Sequence, residues 1–139
     1  MCLHLSFEKC LAKYDLTVAG WCVMISLYGE HASSVSELST YIEIDKASIS
    51  RVVSRLVTRG FIIEKKGKDK RSGLLQLTKE GMDLIPSLIE EAEENEDFYF
   101  ECLSKDEMEQ LHHILHKILA KSPSTVFEGW LKNEKKKNL

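Results

Sequence analysis

The basic residues of this chain are concentrated in one segment, and their spacing points to contact with a polyanion. The 139 residues carry a formal net charge of −3, which by itself disfavours binding to nucleic acid. Between Lys46 and Lys79, however, ten basic residues stand against two acidic ones, so this segment carries +8 and the remainder −11. Such an asymmetry is typical of a local cationic face. A solvated cluster of surface charges would give the same totals, so the elements that carry the charges have to decide.

The residues from Lys46 to about Arg59 have the composition of a helix that enters a DNA groove. One side is apolar at helical spacing, with Ile49, Val52, Val53, Leu56 and Val57. The other side is small or polar near the N-terminus, which lets a helix approach base edges in a major groove about 12 Å wide. We expect Arg51 nearest the bases, and Arg55 and Arg59 nearer phosphates or protein carboxylates. The candidate DNA-binding residues of this helix are Lys46, Ala47, Ser48, Ser50, Arg51, Ser54 and Arg55.

Two strand-like stretches follow the basic helix, about 61–66 and 74–78, and a charged tip separates them. The tip adds Lys68, Lys70 and Arg71 to the candidate DNA contacts. Asp69 is two residues from Arg71, where its carboxylate can hold the guanidinium extended toward a narrow, electronegative minor groove. A hairpin in this position predicts a wing.

The helices that must position these residues are marked by capping residues. Thr17 is placed to begin a helix that ends near Tyr28, and Ser34 with Glu37 forms a capping box for a short helix. Asp45 then caps the basic helix, and Gly60 is suited to end it in a left-handed conformation. Two short helices joined by about three residues, the second of them basic, are typical of a helix-turn-helix.

The remaining helices lie outside this unit. An N-terminal helix is predicted over Leu3–Tyr14, and a long helix with an acidic outer side over about Lys79 to Cys102. A second capping box, Ser104 with Glu107, opens a last helix with the apolar residues Met108, Leu111, Leu115, Ile118 and Leu119. The predicted fold class is therefore mainly α with a small β-wing. The predicted divisions are an N-terminal helix in 1–15, a winged helix-turn-helix in 16–80, a helical dimerisation region in 81–133 and a basic mobile tail in 134–139.

Four blocks in this order closely resemble the MarR family of winged helix-turn-helix transcriptional regulators. They are Lys46–Leu56 (KASISRVVSRL), Gly60–Lys66 (GFIIEKK), Asp69–Arg71 (DKR) and Leu77–Gly81 (LTKEG). The likeness covers about residues 16–119. It implies a sequence-specific, dimeric DNA-binding regulator, usually a repressor, whose first, fifth and sixth helices form the dimer. It also implies recognition helices in successive major grooves of a near-palindromic operator, and Arg71 in the minor groove.

The chain departs from the family pattern in three places. Its first helix is short, so the dimer arm is expected to be built differently. Ser54 and Val57 stand where charged residues are common in the family, which puts one internal ion pair in doubt.

Small ligands, metals or oxidants commonly switch such proteins, and the chain offers weak candidates for each. Cys10, near Tyr14 and Tyr28, resembles the sensing thiol of redox-responsive family members, with Cys22 as a resolving thiol. The simpler interpretation is that both are small buried residues. His112 and His116 have the i, i+4 spacing that suits a metal ion, although solvated helix histidines are the simpler interpretation. A small-molecule pocket lined by Trp21, Met24 or Phe98 competes with an ordinary core. No cofactor is expected.

Other functions find little support in the residues. There is no nucleophile elbow, phosphate-binding loop or zinc-protease motif, so we expect no enzyme. No stretch reaches the roughly 20 apolar residues that span a bilayer, no signal peptide is visible, and the four cysteines form no close pair; we expect a cytoplasmic protein with no membrane partner and free thiols. The rival hypothesis is a winged helix used as a protein-interaction or assembly module without sequence-specific DNA binding.

Overall fold

The computed structural model describes residues 3–66 and 73–121, which form six helices and a two-stranded antiparallel sheet. The elements are α1 Leu3–Ala12, α2 Val18–Tyr28, α3 Val35–Ile42, α4 Lys46–Thr58, β1 Ile62–Lys66, β2 Gly73–Leu77, α5 Lys79–Phe100 and α6 Lys105–Leu119. The predicted fold class, mainly α with a small β-wing, is confirmed. The tip of the hairpin and the tail after residue 121 lie outside the described residues.

The capping box predicted at Ser104 forms in full. Its hydroxyl oxygen accepts the N–H of Glu107 at 3.2 Å, and the Glu107 carboxylate accepts the N–H of Ser104 at 2.8 Å. The box predicted at Ser34 forms by half. Ser34 Oγ accepts the N–H of Glu37, but the Glu37 carboxylate accepts the N–H and the hydroxyl of Ser33 at 2.7 and 2.9 Å. The carboxylate therefore ties the preceding loop to α3.

The other predicted helix starts use one capping side chain each, which accepts an amide hydrogen that the first turn leaves unpaired. Thr17 accepts from Gly20, Asp45 from Ser48 and Thr78 from Gly81. Gly60 ends the fourth helix at φ +79°, the left-handed conformation that the sequence predicted. The predicted ends of two helices were wrong by two residues: α1 stops at Ala12, before a turn in which Asp15 has φ +53°, and α5 stops at Phe100.

The core joins the helix-turn-helix to the base of the hairpin and to the first half of α5. Its buried apolar residues are Leu11, Leu16, Val23, Met24, Ala32, Leu38, Ile49, Val53, Leu56, Ile62, Leu75, Ile85 and Leu88. Val57 was predicted to face inward and is instead 39% exposed. The buried stripe of α4 is therefore narrower than the apolar pattern suggested, and it runs through Ile49, Val53 and Leu56.

The hairpin is anchored to this core at its base. Ile62 pairs with Leu77, and Glu64 with Leu75, in antiparallel register. The Leu75 N–H donates to the carbonyl of Ser33 at 2.8 Å, so the loop between α2 and α3 is hydrogen-bonded to β2. The wing and the helix-turn-helix are consequently one packed unit.

The last helix is packed differently from all the others. α6 contains no buried residue. Leu115, Ile118 and Leu119 of this helix are exposed, and so is Phe98 on α5; the exposed fraction is 61% for Ile118 and 62% for Phe98. The described part of the chain does not bury these apolar side chains. None of the described helices has the length and apolar character that crossing a bilayer requires.

Candidate nucleic-acid interface

The polar side of α4 is open along its length. Of the seven residues predicted to contact DNA on this helix, six are exposed and Ser48 is half-buried. The opposite side is fully committed to the core through Ile49, Val53 and Leu56. The packing therefore leaves Lys46, Ala47, Ser50, Arg51, Ser54 and Arg55 on the outer surface, as the sequence predicted.

The first turn of α4 holds an ordered polar cluster. The Arg51 guanidinium donates to the Ser48 hydroxyl at 3.1 Å, which directs its side chain toward the N-terminal end of the helix. Hydrogen bonds from Ser48 lower the pKa of the Asp45 carboxyl, and the nearby Arg51 charge lowers it further. Asp45 is thus an ionised cap, and the Arg51 donors lie beside the turn that enters the groove in helix-turn-helix proteins.

Arg59 is the last of three arginines spaced four residues apart, Arg51, Arg55 and Arg59 (the arginine stripe), and its side chain binds other parts of the protein. Its guanidinium donates to the backbone carbonyls of Tyr14, at 2.7 Å, and Asp15. The Asp15 carboxylate is 3.7 Å away, and the guanidinium lies 4.9 Å from the centre of the Phe61 ring. Arg59 therefore fastens the α1–α2 turn to the C-terminal end of α4. The sequence placed Arg55 and Arg59 near phosphates or protein carboxylates; the fold gives Arg59 the protein contact and leaves Arg51 and Arg55 on the surface.

The predicted wing contacts can be followed only to the stem of the hairpin. Lys68, Asp69, Lys70 and Arg71 all lie outside the described residues, so their roles stay predictions. The stem itself is well anchored: Thr78 donates through its N–H to the Phe61 carbonyl at 2.9 Å and through its hydroxyl to the Gly60 carbonyl at 2.5 Å.

The two thiols predicted as redox candidates both have raised pKa values. Burial raises the pKa of Cys10, and a hydrogen bond to the Glu91 carboxylate, which also binds Lys13 Nζ at 2.8 Å, raises it further. Burial raises the pKa of Cys22. Because the thiolate is the form that reacts with oxidants, both environments slow oxidation. Redox sensing by Cys10 and Cys22 stays an untested prediction.

The other candidate switches are dispersed. His112 and His116 stack with their ring centres 6.5 Å apart, and no group of three or more potential ligands suited to a metal ion occurs in the described part of the chain. Met24 is buried in the core, Trp21 packs edge-to-face on Phe7, and Phe98 is exposed on α5. Trp21 packs against the same core that contains Met24, whereas Phe98 lies outside it.

Two features of this surface became visible only in the structure. One is that Arg59 binds the α1–α2 turn, one of the two kinds of contact that the sequence allowed for it. The other is a groove of about 630 Å³ between the α2–α3 loop, β2 and the start of α5, which the sequence did not signal. Both depend on contacts between segments far apart in the chain. The unusual φ values of Asp15 and Glu30, +53° and +56°, mark the turns involved, but neither residue type signals them in the sequence.

Comparison with known proteins agrees with this geometry. A family model described as the MarR family matches residues 14–72. The HTH-type transcriptional regulator BilQ of Clostridioides difficile is 33% identical over 79 residues, which are 56% of this chain and 53% of that protein. The chain thus spans about half the length of this relative. An HTH-type transcriptional regulator of Bacillus cereus is 25% identical over 109 residues, 78% of this chain and 73% of that protein.

Solved structures show the same fold over a longer stretch. A MarR transcriptional regulator from Methanosarcina mazei superposes with a TM-score of 0.76 at 25% identity, covering 93% of this chain and 88% of that one. A mutant MarR from E. coli in complex with operator DNA has a TM-score of 0.75 at 24% identity, covering 84% and 85%. These relatives and neighbours are transcription regulators and not enzymes. The family-model match makes residues 14–72 similar to the MarR family, and the solved structures show that the chain shares the winged helix-turn-helix fold of MarR transcriptional regulators around that region.

Proposed function

We propose that this protein is a dimeric, sequence-specific DNA-binding repressor that reads a near-palindromic operator. One observation carries the proposal: the polar side of α4 is exposed from Lys46 to Arg55 while its apolar side is buried in the core that also anchors the wing. A helix held in this way can enter a major groove without unfolding anything else. The stem of the hairpin beside it would direct the wing toward the neighbouring minor groove.

The roles of individual residues follow from their positions. Arg51, beside the first turn of α4, is proposed to contact base edges, because a guanidinium can donate two hydrogen bonds to guanine. Arg55, one turn later and exposed, is proposed to contact phosphates. Ser50 and Ser54 are small enough to allow close approach of the helix. Arg71 is proposed to enter the minor groove, positioned by Asp69.

The exposed apolar side chains of α6 support a dimer. Ile114, Leu115, Ile118 and Leu119 are all exposed, and Phe98 adds an aromatic ring from α5. An exposed apolar surface of this kind is typical of an interface between subunits. Two copies paired through the regions 1–15 and 81–133 would present two recognition helices, which accounts for a near-palindromic site.

Release by a small effector is the further part of this proposal. One neighbour of the same fold was solved in a 2,4-dichlorophenol bound form, and another, BpsR of Bordetella bronchiseptica, has its DNA binding regulated by 6-hydroxynicotinic acid. Those ligands belong to those proteins. They support a search for an effector of this one.

Selection of bound sequences from random duplexes tests the proposal directly. We expect enrichment of a near-palindrome, and an affinity for it that falls by several log units per log of salt concentration. Arg51→Ala should weaken binding to the selected site by about 1–3 kcal/mol and relax the preference at one base pair in each half-site. Lys117→Ala, which removes an exposed charge from α6, is the matched control and should leave specificity unchanged. If no sequence is enriched, the result contradicts sequence-specific binding and supports the rival hypothesis of a protein-interaction module.

The sign of regulation needs a separate measurement. The selected operator is placed across the start site of a promoter and transcribed in vitro with purified polymerase. A repressor lowers transcript yield as protein is added, whereas a rise would assign an activator.

A further inference from the structure

A groove on the wing side of the molecule lies apart from the polar side of α4. It has a volume of about 630 Å³ and runs between the end of α2, the α2–α3 loop, β2 and the start of α5. This volume is within the range of roughly 300–1,000 Å³ typical of small-molecule sites. The groove is therefore large enough for a compact organic ligand.

The floor of the groove is apolar, and its rim carries two adaptable side chains. Ala32 and Leu75 are buried beneath it, with Leu77 partly buried beside them. Tyr28 and Met82 stand at the rim, 49% and 50% exposed. An exposed tyrosine ring attracts cations through its π face, and an exposed methionine adapts to ligands of different shape.

The charge of the lining is negative. Glu30 and Glu37 contribute carboxylates, while the described lining residues include no lysine or arginine. Hydrogen bonds from the Ser33 N–H and hydroxyl lower the pKa of Glu37, so its carboxylate is ionised at neutral pH. Besides the two glutamates and Tyr28, the lining has one more titratable side chain, His31. Its ring stacks on that of Tyr41, with the ring centres 5.1 Å apart. The lining thus combines an apolar floor with negative charge.

We propose that this groove binds an organic cation with an aromatic or otherwise apolar body. The body would lie on the floor between Tyr28 and Met82, and the cationic centre would face the carboxylates of Glu30 and Glu37. An apolar anion of the same shape would meet the same floor but be repelled by those carboxylates. The selectivity between cation and anion is the distinctive expectation.

The position of the groove connects occupancy to the wing. Ser33 is held on one side by the Glu37 carboxylate and on the other by the Leu75 N–H, through its carbonyl at 2.8 Å. A ligand in the groove touches both the loop and β2, so it favours the arrangement in which this hydrogen bond is closed. This step rests on the proposed DNA-binding function only for its effect on operator affinity.

Calorimetry on the full chain with two matched ions tests the site. Tetraphenylphosphonium and tetraphenylborate have the same shape and opposite charge. We expect one tetraphenylphosphonium per chain, and tetraphenylborate at least tenfold weaker. Equal affinities for the two ions, or no binding of tetraphenylphosphonium, would overturn the proposal.

Variants locate the site. Glu30→Gln and Glu37→Gln should each weaken tetraphenylphosphonium binding about threefold, and together about tenfold, as expected for exposed ion interactions. Glu96→Gln removes an exposed carboxylate from α5 and is the control for net charge. Met82→Lys places a cation at the exposed rim and should reduce binding at least tenfold. An unchanged affinity in the Glu30/Glu37 double variant, with native circular dichroism, contradicts the assignment.

The coupling to the wing has a readout that needs no DNA. Tetraphenylphosphonium should slow hydrogen exchange at the Leu75 amide, and it should change the affinity for the selected operator where one exists. If hydrogen exchange at Leu75 slows while the operator affinity is unchanged, the ligand binds in the groove but does not regulate DNA binding. Failure of the chain to select any operator rejects the proposed function but leaves the calorimetric result standing.

Discussion

The two amphipathic helices α4 and α6 differ in how far their apolar sides are buried within one protomer. Both begin at a side-chain cap, and both carry apolar residues along one side. α4 buries Ile49, Val53 and Leu56 in the core, whereas α6 buries none of its residues. The amphipathic pattern of a helix therefore predicts that its apolar side will be covered. The fold determines whether the covering residues come from the same protomer, as they do for α4.

This difference in burial suggests different proposed roles for the two helices, DNA contact for α4 and dimer contact for α6. Since the apolar side of α4 is buried in the core of the protomer, its polar side, with Arg51 and Arg55, is the proposed DNA contact. The exposed apolar side of α6 is the proposed contact with a second copy of the chain. The comparison predicts that substitutions in the two helices will differ in whether their effects depend on protein concentration.

The largest effect is expected from a charge on the exposed apolar side of α6. Ile118→Glu places a carboxylate in the proposed interface twice, once per protomer, and an unpaired buried charge costs about 3–5 kcal/mol. The dimer dissociation constant should rise by at least a thousandfold, measured by analytical ultracentrifugation. Lys117→Gln makes the same change in net charge on the neighbouring residue and should leave the dimer intact. A stable Ile118→Glu dimer would refute the proposed role of α6.

Truncation of the α4 core comes next. Leu56→Ala removes a side chain that is 2% exposed and should lower the free energy of unfolding by about 2–5 kcal/mol. Leu115→Ala on α6 is the counterpart, and its effect should grow as the protein is diluted, because its contacts form between protomers. Denaturant titrations at two protein concentrations distinguish the helices; a dilution-dependent loss for Leu56→Ala would erase the contrast.

A smaller effect separates the two arginines at the end of the stripe. Arg59→Ala removes the charged hydrogen bonds to the Tyr14 and Asp15 carbonyls and should cost about 1–2 kcal/mol of stability. It should leave the salt dependence of DNA binding unchanged. Arg55→Ala should do the reverse, reducing the slope of log affinity against log salt by about one with native stability. A reduced slope in Arg59→Ala would show that its guanidinium leaves the protein to bind phosphate.

The smallest effect concerns the carboxylates at the N-terminal ends of the two helices, Asp45 in α4 and Glu107 in α6. Hydrogen bonds lower the pKa of Asp45 in α4 and of Glu107 in α6 below their ordinary values. A lowered pKa means that the stabilisation is complete above the ordinary value, about 4, and is lost as the pH falls through the folded-state value. We expect the free energy of unfolding to fall slightly below pH 4. NMR titration of the Asp45 and Glu107 carboxyl groups measures the pKa values responsible. Asp45→Asn keeps the cap but removes its ionisation, so the shift at that helix should disappear; an unshifted Asp45 titration would contradict the cap.

Much of the fold could be predicted because its signals are local. The caps at Thr17, Asp45 and Ser104 depend on residues three positions apart, and Gly60 ends its helix through its own backbone freedom. The exposed side of α4 followed from the same short-range periodicity. Val57 was the exception, because the width of a buried stripe depends on the neighbouring elements and not on the helix alone.

The amino-acid sequence by itself determined where the helices and the hairpin begin, which side of α4 is polar, and that positive charge gathers around it. Only the tertiary structure decided that Arg59 binds a segment 45 residues away and that a negatively charged groove forms beside β2. The physical reason is range. Hydrogen bonds within a turn depend on neighbours in the chain, whereas the direction of a long side chain and the shape of a groove depend on segments that meet only after the core has packed.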